Sequence, residues 1–531
     1  RPLHSAGAEA PAPAAGGVGG LEARRWCSLW RRIAACLGQA RLGLGPGPRG
    51  RALLARSFAR ALPAASRRAT ERRARRALRL AATPGRAGLF RCEQRLRRAA
   101  SLAVAAEAAE AASAAAAEHE GRGDLAEALR AYSRALELGP RAPLLLRLRF
   151  ARLLKVAGET GGLPEAGAPA CELQLRLALE RRLSPKPSVR KPLAAMHRAA
   201  LAQLALLLCQ EGREDEVRPL LRMGDWKYRL SPHAIRYEQD AHTRGDVAGV
   251  QIRTCQGDVT VERRQQVPVH VFDGALPAAM LLHLQEVFRS KSLFWQDHSY
   301  NEITGSGDNG YFSYLHALSG PPTSSLDVVI RHIHGLALPF FPDLSSASAA
   351  EWWAHCRPHS CGHQLHFDSN DEASGRARHP VCTAVVFVEA PSGIGGPTIV
   401  TDQRPKDTEL ARHGWLVHPR TGRVALCDGA VLHGVVPGRG EPPAGAPAGA
   451  RRTTWMVAFW RAAPRGSGPE LFGPCRALPD PAGPLAGAWQ RQLALSAADA
   501  QSSPSPTEAP RVVAPLLLRP LWLPVGVEEV M

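Results

Sequence analysis

The residues best placed to do chemistry are a His-x-Asp pair, His366 and Asp368, in Gly362-His363-Gln364-Leu365-His366-Phe367-Asp368. On an extended strand, side chains two residues apart project to the same face, so this imidazole and this carboxylate can reach one metal ion. Far downstream stands Asp428-Gly429-Ala430-Val431-Leu432-His433-Gly434-Val435-Val436-Pro437, whose His433 can close a third corner. Two imidazoles and one carboxylate on one face of an octahedral ion leave three positions open, the arrangement of non-heme Fe(II) oxygenases. A lone His-x-Asp is common by chance. Its succession by short strand-like runs and then by an Asp-Gly…His-Gly-Val…Pro segment is far more specific.

With those motifs in place, residues 262–462 resemble the catalytic domain of a Fe(II)/2-oxoglutarate-dependent dioxygenase of the prolyl 4-hydroxylase-like branch. The resemblance extends beyond the triad. Gly395-Gly396-Pro397-Thr398 matches the family's Gly-Gly-x-Thr turn and strand. Pro419-Arg420-Thr421-Gly422-Arg423-Val424-Ala425-Leu426 matches the strand leading to the distal histidine, and Arg452 to Trp460 matches the strand carrying the 2-oxoglutarate-binding base. The resemblance implies a double-stranded β-helix, or jelly roll. It also implies Fe(II) held by His366, Asp368 and His433, with 2-oxoglutarate and O2 as co-substrates and ascorbate as reductant.

The distal carboxylate of 2-oxoglutarate needs a cation, and a guanidinium offers a bidentate partner. Arg452 is the expected residue, with Thr454 two positions on along the same strand face. Arg451 is the alternative, since a one-residue change of register exchanges the two faces. Arg439 lies nearer His433 but among Gly and Pro, and reads as a solvated loop charge. The sequence departs from the family in two ways. The Gly/Pro/Ala-rich stretch 438–450 lengthens the gap between His433 and Arg452, which a flexible loop accommodates at small entropic cost. The co-substrate-contacting Tyr expected before the metal strand is replaced by Trp353, His355 and Arg357, with Tyr311 and Tyr314 upstream. His355, His359 and His363 read as structural or substrate-side groups, Cys356 and Cys361 as free thiols, and Trp295, Trp352, Trp353 and Trp460 as core.

The elements that must carry these residues are short. Strands are expected at 267–272, 311–315, 352–356, 363–367, 381–389, 398–401, 414–418, 423–427 and 453–460, with helices at 274–289 and 326–341. Many short strands between Gly/Pro turns argue for a sandwich or barrel. Upstream, 101–119 is Ala/Glu-rich, and from 123 to 140 the apolar positions 125, 128, 129, 132, 135 and 136 mark one helix face. That stretch resembles the second helix of a tetratricopeptide repeat, with looser echoes at 161–166 and 200–223; a plain helical bundle is the other reading.

The fold expected is thus multidomain α plus β, a helical repeat-like N-terminal half followed by the jelly roll. A basic low-complexity, disordered or transit-like segment is expected over 1–95, the tetratricopeptide-like region over 96–260, the oxygenase domain over 261–462 and a Pro/Ala-rich, weakly ordered tail over 463–531. Of the formal charge of +19 over 531 residues, the first hundred carry 22 Arg against four acids. This Arg-rich, acid-poor segment resembles an organelle transit peptide; a nucleic-acid-binding arm and an over-extended reading frame are the alternatives, and aromatic residues that would stack on bases are scarce there. Eleven dispersed cysteines without Cys-x-x-Cys argue against a disulfide scaffold. No run of eighteen apolar residues occurs, so a membrane span is not expected. A protein or peptide is the expected substrate, proline its target residue, and nucleic acid is not expected. The competing functions are a helical-repeat scaffold with an inert oxygenase domain, and an oxygenase acting on a non-protein substrate.

Overall fold

The computed structural model describes residues 86–139, 144–160, 166–180, 187–237, 267–301, 306–307, 312–370, 377–464, 475–478, 480–484, 486–494 and 510–525. By internal contacts the chain divides into two units, Arg1–Ala114 with Ser133–Ala142, and Ala115–Tyr132 with Pro143–Met531. The helices from residue 144 onward share a unit with the sheets. Helix α1 (Arg86–Arg122) and helix α2 (Leu125–Leu138) contribute to both units. The basic 1–85 stretch and most of the 161–166 repeat echo lie outside the described residues.

In the larger unit, α3 (Leu144–Glu159), α4 (Ala168–Leu179), α5 (Pro187–Gln210) and α6 (Glu214–Met223) follow one another. Leu144, Leu148 and Ala151 recur at helical spacing, and that stripe meets Leu175 and Ala178 of α4 and Leu204 and Leu208 of α5 in one core. Gly212 turns the chain between α5 and α6 at a φ of 82°, in the left-handed region that favours glycine. Glu214, Asp215 and Glu216 fill the first turn of α6, where the helix dipole favours acids. The segment Leu193–Gln210 is long and apolar enough to cross a membrane, which the sequence reading did not find. Its burial of Ala200, Leu204 and Leu208 against neighbouring helices is that of a core helix.

The sheet-rich part begins after β1 (Tyr228–Leu230) and the short α7 (Pro232–Ile235). It comprises β2 (Val269–Asp273), α8 (Ala278–Phe288), α9 (Leu293–Asp297), β3 (Tyr300–Asn301), β4 (Ser306–Gly307), β5 (Ser313–Ala317), α10 (Ser325–Ala337) and β6 (Ala349–Pro358). There follow β7 (His363–His366), β8 (Cys382–Glu389), β9 (Thr398–Thr401), β10 (Gly414–Val417), β11 (Val424–Asp428), β12 (His433–Val435) and β13 (Arg451–Trp460). The tail supplies β14 (Cys475–Ala477), α11 (Ala488–Arg491), β15 (Arg511–Val513), β16 (Leu516–Leu518) and β17 (Trp522–Pro524).

The strands form an eight-stranded sheet, β14-β5-β6-β13-β8-β11-β2-β15, and a five-stranded sheet, β16-β10-β9-β12-β7. Alternation along the strands sorts their side chains into separate cores. Val271, Phe387 and Ala425 of the larger sheet meet Val400 and Val417 of the smaller one, so the two sheets face each other. The other face of the larger sheet, with Trp352, Ala354, Trp455 and Val457, packs against Leu284 of α8, Trp295 of α9 and Ile330 of α10. The outer face of the smaller sheet, Ile399 and Leu416, is covered by Ala234 and Tyr237.

Short described segments of the tail take part in the sheets. β15 pairs with β2 and β16 with β10, extending each sheet, while β17 pairs with β1. These three-residue strands lack an alternating pattern of their own and acquire β structure by completing edges that would otherwise leave N–H and C=O groups unpaired.

Candidate metal centre and anion pocket

His366 is the last residue of β7 and His433 the first of β12. In this antiparallel pair they stand directly opposite each other, their rings 4.5 Å apart between centroids. Asp368 lies two residues beyond β7. Its Oδ1 is 3.6 Å from His366 Nε2 and 3.7 Å from His433 Nε2, and the three donor atoms lie within 4.8 Å of one another. Those separations exceed a hydrogen bond, so the groups surround a common point rather than pairing. Donors about 2.1 Å from one ion in adjacent positions lie about 3 Å apart, so each of the two Asp368–imidazole separations has under about 1 Å to close.

The surroundings fix which atoms point inward. His366 Nδ1 lies 2.9 Å from Gln364 O, and His433 Nδ1 lies 3.0 Å from Val431 O. A carbonyl only accepts, so each Nδ1 carries the proton and each Nε2 offers its lone pair. Asp368 Oδ2 accepts from Thr383 Oγ1 of β8 at 2.8 Å, which leaves Oδ1 facing the imidazoles. Burial alone would raise the Asp368 carboxyl, but the facing His433 and His366 hold it below its usual range. It is therefore a carboxylate at neutral pH. Two imidazole Nε2 atoms and an oriented carboxylate are a donor set that fits a divalent ion such as Fe(II).

Arg452 and Thr454 lie on the face of β13 that looks toward the smaller sheet, as their neighbour Phe387 on β8 does. Arg451 takes the other face of the strand. Arg452 is 3% exposed, and its Nη1 donates to Gly396 O at 2.6 Å while its Nε has no partner. Gly395, at a φ of 76°, lies against it: a Cβ there would come 3.2 Å from Arg452 Cδ. A Cβ on Gly396 would meet Val436 O at 2.1 Å. Gly396 is thus needed for close backbone approach, and Gly395 for a left-handed turn that packs against the Arg452 side chain. An orphaned buried guanidinium atom fits a carboxylate-bearing co-substrate.

The strand register pairs Arg452 with one of the residues that stand where a co-substrate-contacting Tyr was expected. Arg357 of β6 stands directly opposite Arg452, and His355 opposite Thr454. Arg357 is 8% exposed, donates through Nη1 to Gly362 O at 2.9 Å and has an unpartnered Nε. The His363 ring lies 6.1 Å from that of His355 and 4.6 Å from that of His366, centroid to centroid. Burial first and Arg357 second push His355 well below its ordinary value and His363 down to about 3, so both are neutral. Tyr300 Oη lies 3.4 Å from His355 Nδ1, whereas Tyr314 is a core residue bonded to His298. Tyr311 lies outside the described residues.

His359 is fully buried; its Nδ1 accepts from Gly395 N at 3.0 Å, a structural role. Cys356 and Cys361 are not joined in a disulfide. Arg439 differs from the expected solvated charge: it is half-buried and donates to Gln210 O at 3.2 Å and Arg236 O at 3.1 Å, tying the chain after His433 to the helices.

No model of a known protein family matches the chain, and no curated protein matches it. Among solved structures, a Pseudomonas putida prolyl-4-hydroxylase is similar over 37% of this chain and 94% of its own, with 15% identity and a TM-score of 0.25. AviO1 from Streptomyces viridochromogenes Tue57 is similar over 39% of this chain and 98% of its own, with 16% identity and a TM-score of 0.26.

Proposed function

We propose that this chain is a Fe(II)- and 2-oxoglutarate-dependent dioxygenase that hydroxylates a carbon of its substrate, a prolyl side chain of a protein or peptide, releasing succinate and CO2. The observation that carries the reading is the convergence of His366, Asp368 and His433 with both Nδ1 atoms committed to main-chain carbonyls. The two facing sheets are read as a double-stranded β-helix. Fe(II) bound there would supply, with 2-oxoglutarate and O2, an oxidant strong enough to break a C–H bond.

The protein's own part is orientation and exclusion of water. Thr383 steers the Asp368 carboxylate. Arg452, with Thr454 beside it, holds the distal carboxylate inside the barrel, and the Gly395-Gly396 turn closes that end against solvent. Neutral His355 and His363 line the space between without adding charge. The helical region 96–260, read as tetratricopeptide-like, would offer a surface for a peptide. Ascorbate as reductant belongs to the same reading, whereas an inert scaffold would not need an intact donor set.

The test is anaerobic loading with Fe(II) and 2-oxoglutarate, then measurement of succinate on admitting oxygen. Wild type is expected to release succinate, and His366→Ala to release almost none. Equal succinate from that variant, or none from wild type, removes the assignment. Screening of proline-containing peptides for a mass gain of one oxygen tests the substrate.

A further inference from the structure

Arg452 and Arg357 are cross-strand neighbours in the antiparallel β13–β6 pair, where facing side chains come close enough for like charges to repel. Both are at least nine-tenths buried, so the repulsion acts in a medium far less screening than water. Each spends Nη1 on a neutral backbone carbonyl, Gly396 O or Gly362 O, and each keeps an unpartnered Nε. Among the described residues neither forms an ion pair with an acid. Burial and the facing Arg357 push Arg452 down to about 10, which still leaves it charged at neutral pH. Two interior cations without a counter-ion are costly in the empty protein and are relieved by a bound anion.

We infer that Arg357 is a second anion-binding residue, that it and Arg452 grip the distal carboxylate of the co-substrate from neighbouring strands, and that this pair makes the site selective for a 2-oxo acid bearing a second carboxylate. The inference rests on the function proposed above. The two roles of Arg357 are separable. Its bond to Gly362 O steadies the residue just before β7, the strand that carries His366, so a purely structural Arg357 would act through the metal. An anion-binding Arg357 acts on the second carboxylate alone.

The experiment is anaerobic calorimetric titration of full-length protein, first with Mn(II), then of the Mn(II)-loaded protein with 2-oxoglutarate and, separately, pyruvate, which lacks the distal carboxylate. Arg357→Gln is expected to bind Mn(II) and pyruvate as wild type does and to lose about 10- to 100-fold in 2-oxoglutarate affinity. Arg357→Lys, which restores the charge but not the fork, is expected to recover part of that loss. Unchanged 2-oxoglutarate affinity in Arg357→Gln overturns the inference and leaves the functional proposal standing. So does a parallel loss of Mn(II), pyruvate and 2-oxoglutarate binding by Arg357→Gln in which Arg357→Lys is no better. Failure of wild type to bind 2-oxoglutarate at all overturns both.

Discussion

His366 and His433 each give Nδ1–H to the carbonyl two residues earlier, and Asp368 gives one oxygen to a threonine on the opposite sheet. These are the contacts that turn three polar side chains into a pre-set donor triangle, since metal affinity depends on the partners that orient the ligands. The His-x-Asp spacing made two corners legible in the sequence, and the His-Gly-Val context the third. Thr383 was not legible: nothing in Cys382-Thr383-Ala384 signals a hydroxyl aimed at a carboxylate on the chain after β7. Thr383→Val keeps the volume and removes the donor, and it is expected to weaken metal binding about 10- to 100-fold by chelator competition while the fold's circular dichroism stays unchanged. Unaltered affinity would show that Asp368 needs no such support.

Strand register decides which arginines face each other between the sheets. Arg452 could be chosen over Arg451 only as an expectation, because one residue of slip exchanges the faces. The pairing of Arg452 with Arg357 and of Thr454 with His355 places all four on one side. The place of Arg357 beside Arg452 comes from that register, which no local pattern encodes, since β6 and β13 are far apart in the chain. The strands at 398–401 and 453–460 were visible from alternation and flanking Gly/Pro, whereas the Gly395-Gly396 turn was visible only through family resemblance. Its physical reason is the approach of Gly396 to Val436 O, with no room for a Cβ. Gly396→Ala is expected to cost about 1–3 kcal/mol in urea unfolding, the usual penalty of overpacking, and to weaken 2-oxoglutarate binding by moving the carbonyl that anchors Arg452. Wild-type stability and affinity in that variant would show that the turn is not a seal.

Across the molecule, the last described segment ties the parts together. Within residues 510–525 the chain adds an edge strand to the larger sheet, another to the smaller and a third beside β1 at the end of the helical part. It also buries Leu518 and Leu521 with Ile399, Leu416 and Tyr237. Its three-residue strands carry little local signal and take their partners from distant strands. Removing residues 510–531 is expected to lower Tm and produce concentration-dependent light scattering as both sheet edges open. An unchanged Tm would mark the segment as dispensable. The central claim also lives at this scale, since a chain of 531 residues must bring His433 to His366 and Asp368. Anaerobic calorimetric titration with Fe(II) tests it most directly: one ion should bind per wild-type chain and none with comparable affinity in His366→Ala, Asp368→Ala or His433→Ala, whereas wild-type binding by His433→Ala would contradict the account.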